Sequence, residues 1–404
     1  MKFGSMPKNI VSCSTFIVFA LFFISFDKVL AQPRLDTLQD NAIILKSANN
    51  FTDPTNRSWE GIPSIVSTKD MKQIYVAWYS GGKNEGPNNY VTVSVSVDSG
   101  STWKSDKLLV FPKNSYSRFF DPAMWRDEND EIWLYYTCVY GPKFWDMKGG
   151  VYAMKISWKD DTIHNSIPIR ISDGVMMNSP VFVKEKNVSL FPISVWRLFN
   201  KDFESLPSVK DGTFIKVLKK NNNVEDMGHV EHYGLIPALA DSLRTYDEHQ
   251  IVQTSEKGDF LGMVRTRNGI YYSESNDYGQ NWSYPKPFTA TGPTTSSRIH
   301  LSRLLSGNLL LIINNSNKRN NMTVFLSKNG GKSWPFKLFL DHRDLVSYPD
   351  ASQSDDGLIH VSYDRDRYND RDIYYLNFTE DDIIHGREQN IKRSMVSSGK
   401  VSNK

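Results

Sequence analysis

Tyr348 in VSYPDASQ, Glu248 and His249 in DEHQIVQ, Arg265 and Arg267 in MVRTRNG, and Arg298 and His300 in RIH carry side chains suited to catalysis. Arginines brought together bind a carboxylate. A phenol whose pKa is ordinarily near ~10 becomes a base or nucleophile once cations lower that pKa or a carboxylate such as Glu248 takes its proton. These parts suit β-elimination on a uronic acid. Arginine neutralises the carboxylate and so acidifies the C5 proton, Tyr348 or His249 removes that proton, and a second group protonates what leaves from C4. Glu85 in GGKNEGPNN, Asp121, Arg365 and the stacking aromatics Trp59 and Phe144-Trp145 complete the set. His249 has an alternative reading, because strand alternation that points Glu248 one way points its neighbour the other. His229 and His232 in GHVEHYG read as hydrogen-bonded surface histidines rather than metal ligands, and no metal or cofactor is expected.

Residues so far apart in sequence meet only if a repeated architecture brings them together. Three stretches, SVDSGSTW (96–103), SNDYGQNW (275–282) and SKNGGKSW (327–334), fit S-x-[DN]-x-G-x-[TSN]-W. Asp or Asn bonds its own backbone two residues on, Gly takes the positive φ and Trp folds back over the turn, so each stretch reads as a hairpin. Six segments, starting at Ile62, Asp121, Ser179, Glu248, Arg298 and Tyr348, share a plan of strand, polar turn and apolar strand. Their spacing of about 50 to 70 residues is the period of a four-stranded propeller blade. The expected fold is therefore all-β, a six-bladed β-propeller. Residues 41–45 have no blade of their own and are expected to complete the last blade and close the ring.

In a propeller the first strands start around one mouth of the central axis. Hairpins between third and fourth strands lie on the opposite face, which makes the three boxes structural. The mouth then gathers Trp59, Asp121, Glu248, His249, Arg298 and Tyr348 from strand starts, with Glu85, Arg265, Arg267 and the run Tyr363-Asp364-Arg365-Asp366-Arg367 from the ends of second strands.

The boxes are the Asp-box of the sialidase and BNR-repeat propellers, and from about residue 40 to 385 the chain resembles that superfamily. The resemblance implies a tyrosine nucleophile relayed by a glutamate, an aspartate acid/base and three arginines that clamp a carboxylate. Tyr348 matches the nucleophile, Glu248 and Arg265 the glutamate and the arginine that follows it, and Arg298 another clamp residue. The family's first arginine, in an R-I-P motif, has no counterpart in Glu60-Gly61-Ile62-Pro63, and Glu85 is the nearest acidic residue to the aspartate's place. Secreted proteins of this general type also resemble an oligosaccharide dehydratase of ulvan breakdown.

The remaining features set the context. Lys2 and Lys8, an apolar stretch from about Ile10 to Phe26 and Val29-Leu30-Ala31 read as a signal peptide over residues 1–31, with one propeller domain over 32–386 and a frayed polar tail over 387–404. Cleavage removes three of 48 basic and one of 45 acidic residues, leaving 45 against 44. A net charge of +1 excludes a nucleic-acid footprint, and no membrane contact is expected of the mature form. Cys138 alone remains, so no intrachain disulfide forms. The expectation is a monomeric, periplasmic or extracellular carbohydrate-active enzyme. It would eliminate at the terminal uronate of an acidic oligosaccharide, sulfated or not, such as ulvan. The alternatives are a retaining exo-sialidase and a non-catalytic glycan-binding propeller.

Overall fold

A computed structural model describes residues 42–46, 57–82, 84–140, 150–176, 178–195, 212–218 and 230–399. The chain divides into two units, Met1–Arg34 and Leu35–Lys404, and every described residue lies in the second. The expected signal peptide, His229 and the Phe144-Trp145 pair lie outside the described residues.

The strands form six antiparallel sheets, each from a consecutive stretch of chain. The first holds β1 (Ala42–Leu45), β2 (Trp59–Ser67), β3 (Ile74–Gly81), β4 (Tyr90–Ser96) and β5 (Lys104–Pro112). The second holds β6 (Ser117–Arg126), β7 (Ile132–Tyr140), β8 (Gly150–Lys159), β9 (Thr162–Asn165) and β10 (Ile169–Ser172), and the third β11 (Val175–Met176), β12 (Val181–Val183), β13 (Val188–Val195), β14 (Gly212–Leu218) and β15 (Glu231–Ile236). The fourth comprises β16 (His249–Gln253), β17 (Phe260–Thr266), β18 (Gly269–Ser275) and β19 (Lys286–Pro287), and the fifth β20 (His300–Arg303), β21 (Leu309–Asn314), β22 (Met322–Ser327) and β23 (Phe336–Asp341). The last comprises β24 (Val346–Gln353), β25 (Leu358–Arg365), β26 (Asp372–Thr379) and β27 (Lys392–Ser397). The result is the six-bladed propeller, with the expected first-strand to second-strand segments at the core of every blade. No described helix is long and apolar enough to cross a membrane.

Inner strands such as β3 and β21 are buried on both faces because each blade is sandwiched between two others, and the buried side chains gather into seams. Val252, Met263, Leu311 and Trp334 pack blade four on blade five, while Leu326, Val361, Tyr363 and Leu376 pack five on six. Ile65, Trp78, Ile373, Tyr375 and Val396 pack six on one, which closes the ring.

Two expectations about closure are corrected. The strand at 42–45 pairs with β5, adding a fifth, outer strand to blade one instead of completing blade six. Blade six takes its outer strand from 392–397, within the segment expected to fray, and that strand pairs with β26 through Tyr375↔Ser394 and Leu376↔Arg393. Polar composition hides this strand because an outermost strand buries little of its surface. The chain reaches it through the helix α1 (Glu380–His385), where Thr379 and Asp382 form a reciprocal capping box and Gly386 ends the helix at φ 63°.

The boxes sit between third and fourth strands as expected. In the first, the Asp98 carboxylate accepts from the Thr102 amide at 2.9 Å and the Ser96 hydroxyl accepts from the Gly100 amide at 2.8 Å. The second and third repeat this pattern, and Trp282 and Trp334 donate to the carbonyls of Gly279 and Gly331. Trp103 differs, donating to the Ser394 hydroxyl of β27 at 2.9 Å. The first box thus fastens blade one to blade six.

Candidate active site

Three innermost strands begin with the same device. In β2, β6 and β24 the register slips between Gly61 and Ser64, Phe120 and Ala123, and Ser347 and Asp350. Within each slip a residue ahead of a proline takes a left-handed conformation, Ile62 at φ 60°, Asp121 at 46° and Tyr348 at 53°. Such a conformation costs on the order of 1–3 kcal/mol for a residue other than glycine. The bulge re-aims each side chain, and all three line one cavity of about 400 Å³.

Inside it, Tyr348, Glu248 and Arg265 form a closed triangle. The Tyr348 hydroxyl donates to Glu248 Oε1 at 2.9 Å and accepts from Arg265 Nη1 at 2.7 Å, and Arg265 Nη1 donates to the same Glu248 oxygen at 2.9 Å. Burial acts to raise the Glu248 pKa, but the charge and hydrogen bond of Arg265 outweigh it, and the carboxyl is held below its ordinary 4.5. Glu248 Oε2 is buried and finds no hydrogen-bond partner among the described residues. Burial pushes the Tyr348 phenol up to about 12 and Glu248 acts the same way, against the charges of Arg265, Arg319 and Arg367. At neutral pH the phenol therefore keeps its proton while pointing it at a carboxylate able to take it. Guanidiniums flank the phenol ring, Arg367 at 4.1 Å, Arg319 at 5.1 Å and Arg298 at 5.2 Å from its centroid.

Two further carboxyls line the cavity. Burial raises the Asp121 pKa to about 7, with Glu248 and Glu85 raising it further and Arg298 and Arg118 opposing. Near neutrality Asp121 is therefore partly a hydrogen-bond donor. Glu85 stands at the lip with its side chain 41% exposed, 3.6 Å from Arg367 Nη1. Arg118 and Arg319 make no salt bridge among the described residues, and Arg118 is only 5% exposed. A buried guanidinium without an acidic partner is costly, and an anion in the cavity would offset that cost. Tyr246, Tyr79 and Phe120 supply the apolar wall.

The structure thus brings together Tyr348, Glu248, Arg265, Asp121 and Glu85 of the residues singled out from sequence. The others lie elsewhere. His249 is buried with Nδ1 against the Asp247 carbonyl at 3.0 Å and the Ser194 hydroxyl of blade three at 3.2 Å, so it faces the neighbouring blade and not the cavity, as alternation predicts for the neighbour of Glu248. His300 sits 2.9 Å from Asp350 and 2.8 Å from the Ser302 hydroxyl, below the cavity. Arg298 is buried under Tyr348 with Nη2 donating to the Pro63 carbonyl at 2.8 Å, so it supports the cavity floor and does not line it. Arg267 is exposed on the turn after β17. Arg365 is turned to Asp370 at 2.5 Å and Asp372 at 3.6 Å. Trp59 is fully buried against Tyr79, with ring centroids 4.5 Å apart, and offers no face to a sugar.

Sequence reasoning missed Arg118 and Arg319. Arg319 lies in the loop after β21, one of the loops between second and third strands that face the mouth, so a systematic reading of those loops finds it. Arg365 and Arg367 both read as mouth residues of one loop, and of the two it is Arg367 that lines the cavity. Among the described residues no group of three or more His, Cys, Asp or Glu is arranged to hold a metal ion.

Residues 72–361 match the family model described as a BNR repeat-like domain. The chain belongs to that family. As a member of it, the chain has a fold similar to several solved structures. A Hadza microbial sialidase is 17% identical at a TM-score of 0.60, the alignment covering 81% of this chain and 66% of that one. The intramolecular trans-sialidase from Ruminococcus gnavus, solved in complex with oseltamivir carboxylate, is 13% identical at 0.59, covering 84% and 98%. A protein of unknown function from Dyadobacter fermentans is 15% identical at 0.56, covering 82% and 95%. No curated protein matches the sequence. At such identities the likeness is one of fold, and function rests on the site.

Proposed function

We propose that this BNR-family propeller is a carbohydrate-active enzyme that acts on a terminal, carboxylate-bearing sugar, with Tyr348 as a nucleophile relayed by Glu248. The observation that supports this most is the Tyr348–Glu248–Arg265 triangle in a cavity where two further guanidiniums, Arg118 and Arg319, make no salt bridge among the described residues. In the first step the Tyr348 oxygen attacks the anomeric carbon and its proton passes to Glu248. The bond to the leaving oxygen breaks as Glu85, at the lip, protonates that oxygen. Glu85 then deprotonates a water that attacks the same carbon, and Tyr348 departs, regaining its proton from Glu248. Two displacements retain the anomeric configuration. Asp121, partly protonated, hydrogen-bonds a ring hydroxyl.

A second reading, elimination from a terminal uronate of an algal-type oligosaccharide such as ulvan, draws support from the same phenol as base and from Asp121 as a carboxyl that still holds a proton near pH 7. It is ranked second because His249 and His300, the histidine bases it would use, are turned away from the cavity.

Aryl glycosides and oligosaccharides ending in sialic acid, glucuronate or galacturonate separate the two readings. The first predicts free sugar of retained configuration by NMR, lost in Tyr348→Phe. New ultraviolet absorbance from a conjugated double bond would transfer the assignment to elimination. Saturable binding without product, unaffected by Tyr348→Phe, would make the propeller a binding protein.

A further inference from the structure

The R-I-P motif of related propellers places an arginine one residue before the isoleucine, where this chain has Gly61. The space is not empty. A Cβ built on Gly61 would stand 2.7 Å from Cδ and 2.8 Å from Nε of Arg367, closer than real Cβ atoms approach such neighbours. Arg367, on the loop between β25 and β26 of the last blade, thus runs through the volume that a side chain at position 61 would occupy.

Its placement is tightly fixed. Nε donates to Asp364 at 2.9 Å, Nη2 donates to the Ser347 hydroxyl at 3.1 Å, and the Arg367 carbonyl accepts from the Glu60 amide at 3.2 Å. Asp364 also accepts from the Ile62 amide at 2.7 Å and from the Ser347 hydroxyl at 2.7 Å, so one buried carboxylate ties the arginine to both bulges. The guanidinium then lies over the Tyr348 ring at the cavity wall, with Nη1 toward Glu85. Glu60 is itself fully buried and engaged by Arg57 at 2.6 Å, so it brings no opposing charge into the cavity.

We infer that Arg367, reaching across from the last blade through the gap left by Gly61, binds the substrate carboxylate together with Arg265 and Arg319. Arginine 367 and glycine 61 are therefore one feature written in two places. The glycine is required for the space it leaves, and a single methyl there displaces the cation. This rests on the reading of the cavity as a site for a carboxylate-bearing sugar, and it adds which side chains hold that carboxylate and how selectivity for it arises.

The test compares each acid with its neutral ester: oseltamivir carboxylate, N-acetylneuraminate, glucuronate and galacturonate, titrated calorimetrically into the full chain. Wild type is expected to prefer at least one acid over its ester. Arg367→Ala should lose that preference by about 30-fold or more, as truncating one partner of a buried charge pair does, with acid binding weakened far more than ester binding. Because Arg367 also holds Asp364, Arg367→Lys and Gly61→Ala serve as variants that keep a positive charge. Arg367→Lys should retain part of the preference, and Gly61→Ala should lose about tenfold by displacing the guanidinium. The double variant Gly61→Arg with Arg367→Ala, with melting curves confirming the fold, should regain most of the preference. If wild type prefers no acid, the reading of the site falls and the inference with it. If wild type prefers an acid but Arg367→Ala and Gly61→Ala prefer it equally, or the folded double variant regains nothing, only the inference is overturned.

Discussion

Tyr348 and Asp121 occupy equivalent bulges on two blades, yet their surroundings give them opposite tasks. Tyr348 has a cation and a carboxylate at hydrogen-bonding distance and so has a route for its proton. Asp121 is buried and, at about 7, retains a proton that a solvated carboxyl would have released. The folded pKa lies above the ordinary 3.8, so the stabilisation is full below about pH 4 and is lost as pH rises through 7. Asp121→Asn removes this dependence. Its stability relative to wild type is expected to rise between pH 5 and pH 8 by on the order of 2–4 kcal/mol, read from urea midpoints at the two pH values. In the same variant the alkaline fall of kcat/KM above pH 7 should flatten, while the acid limb, set by Glu248 below 4.5, remains. For Glu85→Gln, kcat should fall by about 10²-fold or more on poor leaving groups and much less on a nitrophenyl glycoside that needs no protonation. Tyr348, Glu248 and Arg265 were readable from sequence because strand starts and strand ends have fixed places in a propeller. Arg365 and Arg367 were placed at the mouth together, but which of them enters the cavity was not legible, because no periodicity describes the path of a loop.

At the scale of elements, the hairpin boxes and the bulged strand starts lie at opposite ends of the blades. The boxes were legible in full, because Ser, Asp or Asn, Gly and Trp each meet a local backbone need. The bulges left a weaker trace, the x-Pro pairs Ile62-Pro63, Asp121-Pro122 and Tyr348-Pro349, which mark where pairing slips and do not reveal the left-handed residue before each proline. The first box carries an added load. Gly100 has φ 83°, and a Cβ there would stand 2.1 Å from the Tyr375 ring of blade six, while its carbonyl accepts from the Ser394 hydroxyl at 2.6 Å. Gly100→Ala is therefore expected to destabilise by roughly 2–4 kcal/mol, from backbone strain and overpacking together. Gly357→Ala, also at positive φ but with open space around it, should cost only the backbone part. Paired denaturation curves measure the difference.

For the whole molecule, ring closure depends on residues that composition alone reads as a tail. The β27 residue Val396 is buried in the seam with Trp78 and Tyr375, and Ser397 donates to the buried Glu60 at 3.2 Å. A chain ending at Ile391 should therefore lose cooperative folding or melt far below wild type, whereas Met395→Ala, at an exposed position of the same strand, should change little. Differential scanning calorimetry separates these outcomes. The period and blade count were legible because six hairpins repeat one pattern. Closure was not, because it rests on an outer strand, β27, that buries too little to show in the pattern. The closed ring holds Tyr348 of blade six against Glu248 and Arg265 of blade four, so the central claim is that this juxtaposition serves covalent catalysis. A fluorinated substrate analogue that slows release of the sugar, followed by peptide mass spectrometry, tests it most directly. The account predicts a glycosyl adduct on the peptide carrying Tyr348, absent from Tyr348→Phe. Turnover of the parent substrate with no adduct on that peptide would contradict it.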